Sequence, residues 1–260
     1  MLIDAVILVL REVLEAAVMI SAMIALGRYQ RQGLAWLLCA LPLALGGIVI
    51  YAGNLDLITD SFDGAGQEVI NAALQIAAFV LVTLAIYFFG RPRATRTGFS
   101  PAAAMMTLAV ATAMVREGSE IWIYVSGFAG IAQYRSAVFY GAAIGAIIGC
   151  SVCILLYAFI MSQSFRRGAA SALLLLALTS AGMVLQASLL LEQVDYLPTL
   201  APLWDSSRLV SEESIPGVIL YAVFGYEATP NGIELLLYLG ALTLVLVTAG
   251  DTLRRTGSEM

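Results

Sequence analysis

Arg11-Glu12-Val13-Leu14-Glu15 interrupts an apolar run from Leu2 to Leu26, and Arg116-Glu117-Gly118-Ser119-Glu120 interrupts a second, from Pro101 to Val125. Runs of this length and polarity read as membrane-spanning helices. A charge inside such a helix costs roughly 2.5–3.5 kcal/mol on insertion scales, so it persists only where something compensates it. The same costly pattern, R-E-x-x-E, occurring twice points to a function at that depth. On an α-helix Arg11 and Glu15 stand at i, i+4 and Glu12 and Glu15 at i, i+3. All three therefore share one face, and the same spacing joins Arg116, Glu117 and Glu120.

If the two helices present these faces to each other, four carboxylates and two guanidiniums converge. The cluster carries a net formal charge of −2, and a cation would complete it. Carboxylate oxygens are hard ligands, suited to Fe3+, Mn2+, Mg2+ or Ca2+ and acceptable to Fe2+, whereas copper(I) and zinc call for sulfur or imidazole. Glu12, Glu15, Glu117 and Glu120 are the candidate metal ligands, with Arg11 and Arg116 orienting them through charge-assisted hydrogen bonds. In the competing reading, Arg11–Glu15 and Arg116–Glu120 are structural ion pairs. Such pairs leave Glu12 and Glu117 without a purpose.

Outside the motifs, composition sets the class. The chain has 260 residues, 61% hydrophobic and 12% charged, with a mean hydropathy of +0.92. A soluble domain carries about 25% charge, so this is a polytopic, all-α membrane protein. Every one of the 13 basic residues is Arg, and there is no His. That excludes zincin motifs, haem ligation by His and di-iron sites built on Glu-x-x-His. Cys39, Cys150 and Cys153 lie within apolar runs where a disulfide framework has no place. Cys150-x-x-Cys153 reads as packing, with a soft-metal site as the alternative. Met1 leads almost directly into a run too long for a signal-peptide core and without a basic flank, so the first span is expected to be retained.

Seven runs are long enough to cross a bilayer: 2–26, 34–53, 67–90, 101–126, 136–161, 169–190 and 231–250. Their connections sort by charge. Arg28 and Arg31, then Arg91, Arg93 and Arg96, then Arg166 and Arg167, and finally Arg254 and Arg255 fall on one side. The other side holds Asp56, Asp60, Asp63, Glu192, Asp195, Asp205, Glu212 and Glu213, with only Arg135 and Arg208 among them. The positive-inside rule then places the N-terminus outside and the C-terminus in the cytoplasm. The motif-bearing spans run in opposite directions, 105 residues apart. This makes residues 1–90 and 101–190 two inverted three-helix repeats in one transmembrane domain, followed by an external segment 191–230 and a last helix 231–250. Inverted repeats with a site at their interface are a common transporter plan. The apolar piece Gly217 to Tyr226 reads as a re-entrant or interfacial segment, or else as an ordered loop packed on the helix ends. Gly141, Gly145 and Gly149 form a small-residue ridge that lets another helix approach.

Weaker candidates lie on the outer side. Glu68, Asp56, Asp60 and Asp63 could form a route by which cations reach the site, although their spacing matches no EF-hand loop. Glu234 opens the last span, and Trp122 and Tyr124 fit an aromatic belt.

Two intramembrane R-E-x-x-E motifs in the first and fourth of seven spans resemble those of the oxidase-dependent iron permeases, the fungal high-affinity iron permease and its bacterial relatives of the EfeU type. Leu203-Trp204-Asp205-Ser206-Ser207 and Phe224-Gly225-Tyr226-Glu227-Ala228-Thr229-Pro230 are similar to that family's stretch before its last helix. The resemblance thus covers nearly the whole chain. It implies iron import in a bacterial inner membrane, with Glu12, Glu15, Glu117 and Glu120 as iron ligands and iron as substrate rather than a tightly bound cofactor. An extracytoplasmic oxidase or iron-binding protein is the partner it implies. The large extracytoplasmic N-terminal domain of some bacterial relatives has no counterpart, so delivery is expected from elsewhere or unassisted. Glu212-Glu213-Ser214 is acidic where fungal members bind iron externally, but it does not match their motif. No nucleic-acid partner is expected. A carboxylate-based divalent cation/proton antiporter is the alternative. An intramembrane enzyme is disfavoured, since no His, Ser/Lys pair or paired Asp lies within the spans.

Overall fold

The computed structural model describes residues 1–30, 32–91, 100–212 and 214–258. Arg31, Arg93, Arg96 and Glu213, each used above for charge sidedness or the external motif, lie outside the described residues. The described chain is helical, and the isolated bridge between Pro202 and Asn231 is its only β pairing. In order, the helices are α1 (Leu2–Tyr29), α2 (Ala35–Gly53), α3 (Leu55–Asp60), α4 (Gly66–Phe89), α5 (Pro101–Ala129), α6 (Ala132–Ser162), α7 (Phe165–Gln193), α8 (Ile215–Phe224) and α9 (Gly232–Ser258).

Every expected apolar run is one helix, and most run further than their apolar cores. α6 and α7 extend toward each other until only Gln163 and Ser164 separate them. The segment between α2 and α4 is more structured than a solvated acidic loop. Asp56 and Asp60 ride on α3, and Asp63 sits in a 3-10 turn at φ 59. Local signals explain several helix starts. The Ser100 hydroxyl accepts from the Ala103 amide at 3.1 Å ahead of Pro101, and that of Ser214 accepts from the Gly217 amide at 3.2 Å ahead of Pro216. Both are side-chain N-caps followed by a Pro whose missing amide donor costs nothing there. Asn231 and Glu234 form a reciprocal cap on α9. Asn231 Oδ1 accepts from the Glu234 amide at 3.0 Å, and Glu234 Oε2 accepts from the Asn231 amide at 2.8 Å. Glu234 is thereby accounted for as a cap.

Among the described residues, five helices, α2, α4, α6, α7 and α9, are long and apolar enough to cross a membrane. α1 and α5 match them in length, at 28 and 29 residues, but carry the motif charges. They occupy the interior instead. α1 lies against α5, α6, α7 and α8, and α5 lies against α1, α2, α4 and α6, while α4 and α7 pack on each other and on α9. Peripheral helices show the opposite character. Leu38, Leu45 and Val49 of α2, Ile147 and Leu155 of α6, and Leu236 and Val247 of α9 are all exposed. An apolar exterior, with the buried charges gathered inside an otherwise apolar core, is what a bilayer solvent selects.

The glycine ridge of α6 is spent on α1. A Cβ at Gly145 would lie 2.7 Å from the Val6 carbonyl oxygen, and one at Gly141 would lie 2.7 Å from that of Leu2. On the other side, Gly118 of α5 takes the Ile48 side chain of α2 and Gly47 takes Val115. Each motif helix is thus clasped by a neighbour at small residues, which holds its charged face toward the centre.

Candidate metal site

α1 and α5 meet with their charged faces together. The Arg116 guanidinium lies at the centre. Its Nη1 is 3.2 Å from Glu12 Oε2 and 3.3 Å from Glu15 Oε2, and it also pairs with Glu117 Oε2. Its Nη2 is 3.0 Å from Glu120 Oε1. Glu12, Glu15, Arg116 and Glu117 are buried to 5% exposure or less, whereas Glu120 keeps 28% of its side chain accessible. All four candidate carboxylates therefore come together.

The two arginines are not equivalent. Arg11 stands at the rim with 35% of its side chain accessible, and its Nε lies 3.5 Å from Glu15 Oε1 and 3.7 Å from Glu12 Oε1. Its guanidinium carbon lies 4.4 Å from the centroid of the Tyr221 ring, so α8 covers the site from one side through a cation–π contact. The carboxylates converge on Arg116 rather than on a shared open point. Among the described residues, no group of three or more Asp, Glu or Cys side chains is arranged to hold a metal ion.

Three amides join the site from helices whose sequence shows no motif. Gln186 of α7 donates through Nε2 to Glu15 Oε2 at 3.0 Å and accepts at Oε1 from Gln75 Nε2 of α4 at 2.6 Å. Asn71, one turn before Gln75, places Nδ2 at 3.5 Å from Glu120 Oε1 and accepts at Oδ1 from the Tyr51 hydroxyl. Sequence reasoning passed over these residues. Their signal was an amide inside an apolar span, doubled at i, i+4 in α4, which in lipid must find a partner.

Two cavities flank the cluster. One of about 420 Å³ is lined by Glu68, Asn71, Glu120, Tyr124 and Phe128, between the N-terminal part of α4 and the C-terminal half of α5. Glu68 thus shares this cavity with Glu120. Asp56, Asp60 and Asp63 are exposed, do not line this cavity and are not brought to the site. The second, about 280 Å³, is lined by Glu12 and Glu117 together with Met114, Cys150 and Cys153. Cys153 also packs on α1, its Sγ 3.0 Å from the Ser21 hydroxyl.

The segment between α7 and α9 is held, in its described residues, by hydrogen bonds of its own. Its two signature stretches pair with each other: Ser206 donates its amide to the Ala228 carbonyl at 2.9 Å, and its hydroxyl lies 2.8 Å from that of Tyr226. Glu192 accepts from Asn231 Nδ2, and Glu212 accepts from the Ala228 amide. Burial, followed by repulsion from Glu212 and Glu234, pushes the Glu227 carboxyl up to about 7. Across the turn between α5 and α6, Arg135 donates to the Ala129 carbonyl at 2.9 Å.

Residues 2–253 match the Iron permease FTR1 family. No curated protein and no solved structure matches the chain.

Proposed function

The chain belongs to the iron permease FTR1 family and is an integral membrane protein of iron transport, and we propose that Glu12, Glu15, Glu117 and Glu120 form the site through which the ion passes. The observation that supports this reading is the meeting of both motifs at one point, remote in sequence and buried at the core of the helix bundle. A bundle needing only helix glue would be served by one ion pair. Four carboxylates against two guanidiniums leave an excess of negative charge that a multivalent cation neutralises.

In this reading α1 and α5 also cross the membrane, at about 42 Å each from a 1.5 Å rise per residue, and the spans number seven. α1, α2 and α4 form one three-helix unit and α5, α6 and α7 its inverted counterpart. Each motif helix is packed against the second and third helices of the other unit. Iron, ferric or ferrous, arrives from the acidic outer side through the cavity between Glu68 and Glu120. It sheds water at the four glutamates and leaves toward the Arg-rich face in the cytoplasm of a bacterial cell. An extracytoplasmic oxidase or iron-binding protein would hand it over. Inward movement down a ~100 mV potential yields about 2.3 kcal/mol per charge, which drives the ion without a nucleotide.

Uptake of radioactive iron into proteoliposomes tests the proposal. Glu12→Gln and Glu117→Gln, each verified as folded, are expected to lower initial uptake by about tenfold or more, the scale on which metal sites respond to lost partners. Undiminished uptake in both would reduce the motifs to helix glue. Uptake coupled to outward proton movement would favour the antiporter.

A further inference from the structure

The Arg116 guanidinium is badly matched to its partners as a hydrogen-bonding group and well matched as a bare positive charge. Guanidinium normally grips one carboxylate with two parallel N–H bonds. Here one nitrogen, Nη1, faces three carboxylate oxygens, from Glu12, Glu15 and Glu117, and it has only two hydrogens to offer. Nε is meanwhile buried and donates to nothing. Oxygens from separate side chains on two helices gathered around a single atom describe the surroundings of a cation.

From this geometry we propose that Arg116 is a tethered occupant of the cation site, and that a multivalent metal ion binds by displacing it. The inference rests on the four-glutamate reading above and assigns Arg116 the role of competitor rather than support. It explains why four convergent carboxylates form no ready metal nest among the described residues: the guanidinium fills it. Room for the displaced side chain exists. Nη2 is anchored 3.0 Å from Glu120, one turn along the same helix, and Glu120 lines the 420 Å³ cavity with Glu68 and Asn71. Arg116 can release Glu12, Glu15 and Glu117 while keeping Oε1 of Glu120, which leaves Glu120 Oε2 for the ion. Arg11 shows that the equivalent side chain of the other motif rests at the rim.

Two consequences follow from charge. Arginine stays protonated, so the occupant always carries one positive charge. A monovalent ion exchanges one charge for the same charge and forfeits the N–H contacts, whereas a divalent or trivalent ion gains. The site thereby rejects Na+ and K+ without a size filter. Return of Arg116 then expels the ion, so a strongly negative site does not become a trap.

Equilibrium binding of radioactive iron to the detergent-purified full chain tests this, with iron supplied as Fe2+ under anoxic reductant and as ferric citrate. Arg116→Gln is expected to bind iron at least about tenfold more tightly than wild type and to lose discrimination against K+, since no tethered charge competes. Equal or weaker binding by folded Arg116→Gln overturns the proposal. Should that variant not fold, the wild-type chain supplies the answer through labelling with an arginine-specific dicarbonyl, read by mass spectrometry on the Arg116 peptide. Iron is expected to increase labelling by moving Arg116 into the cavity, and unchanged or reduced labelling overturns the proposal. If no form of the chain binds iron, the four-glutamate reading itself falls. If wild type binds iron and Glu12→Gln does not, but Arg116→Gln fails to tighten binding, only the competitor role falls.

Discussion

Glu15 shows how much of the site depends on residues outside the motifs. One of its oxygens accepts from Gln186, and Gln186 is in turn oriented by Gln75, so a relay of amides from α4 and α7 sets a carboxylate of α1. Replacing Gln186 by Leu removes the donor to Glu15 and strands Gln75 without its acceptor. Interhelical hydrogen bonds in membranes are worth about 0.6–2 kcal/mol, and a charged acceptor places this one at the upper end. Gln186→Leu is therefore expected to cost about 1–2 kcal/mol in denaturant unfolding. It is also expected to weaken iron binding about tenfold, as loss of a group orienting a ligand does. A variant with wild-type affinity would remove Gln186 from the site. At this scale the charged residues were legible from the sequence and the amides were not. A glutamate in lipid announces itself by its cost. A lone Gln is cheap enough to be read as packing until a partner is seen. The inequality of Arg11 and Arg116 was equally hidden, because identical motifs predict identical roles and only the packing of α8 on α1 separates them.

Among elements, the α1–α6 contact carries the most consequence, because it fixes which face α1 turns to α5. Gly145 admits α1 so closely that a methyl group would meet backbone atoms, the Val6 oxygen at 2.7 Å and the Leu10 nitrogen at 2.9 Å. Backbone has no rotamer with which to yield. Gly145→Ala is expected to destabilise by about 1–3 kcal/mol, as overpacking does, and to lower iron affinity because α1 shifts. Gly46→Ala is the control. Gly46 has open space around it, and Ala in a helix gains up to about 1 kcal/mol over Gly. Thermal unfolding in detergent distinguishes the two, and equal behaviour would contradict the close approach. The long helices were visible in the apolar runs, since 20 apolar residues permit little else. Their ends were not. Tyr29, for instance, carries α1 past its apolar core because its hydroxyl reaches the Ile160 carbonyl of α6 at 3.0 Å. α3 was not legible because six residues make fewer than two helical turns, too short for a periodic pattern to show. The external signature stretches were recognisable, but their pairing with each other through Ser206, Tyr226 and Ala228 depends on the fold.

For the whole molecule, the two motif helices occupy the interior while α2, α6 and α9 face outward with apolar side chains. Exposed apolar side chains on the outer helices and charges kept inside fit a protein with lipid around it. The orientation proposed from the arginine distribution is testable on a background with Cys39, Cys150 and Cys153 replaced by Ser. Arg135→Cys, in the first turn of α6, is expected to react with a membrane-impermeant thiol reagent added outside intact cells. Arg166→Cys, at the start of α7, is expected to react only after the membrane is opened. The reverse pattern would invert the permease and reverse the direction assigned to it.

The central claim, that iron in transit is held by the glutamates of both motifs, is tested most directly by X-ray absorption at the iron edge of the iron-loaded chain. A first shell of light oxygen and nitrogen scatterers is expected in wild type. Stoichiometric iron should be absent from the Glu12→Gln/Glu117→Gln double variant. The thiols of Cys150 and Cys153 share a cavity with Glu12 and Glu117, so a sulfur shell, or iron retained by the double variant, would place the metal elsewhere and contradict the account.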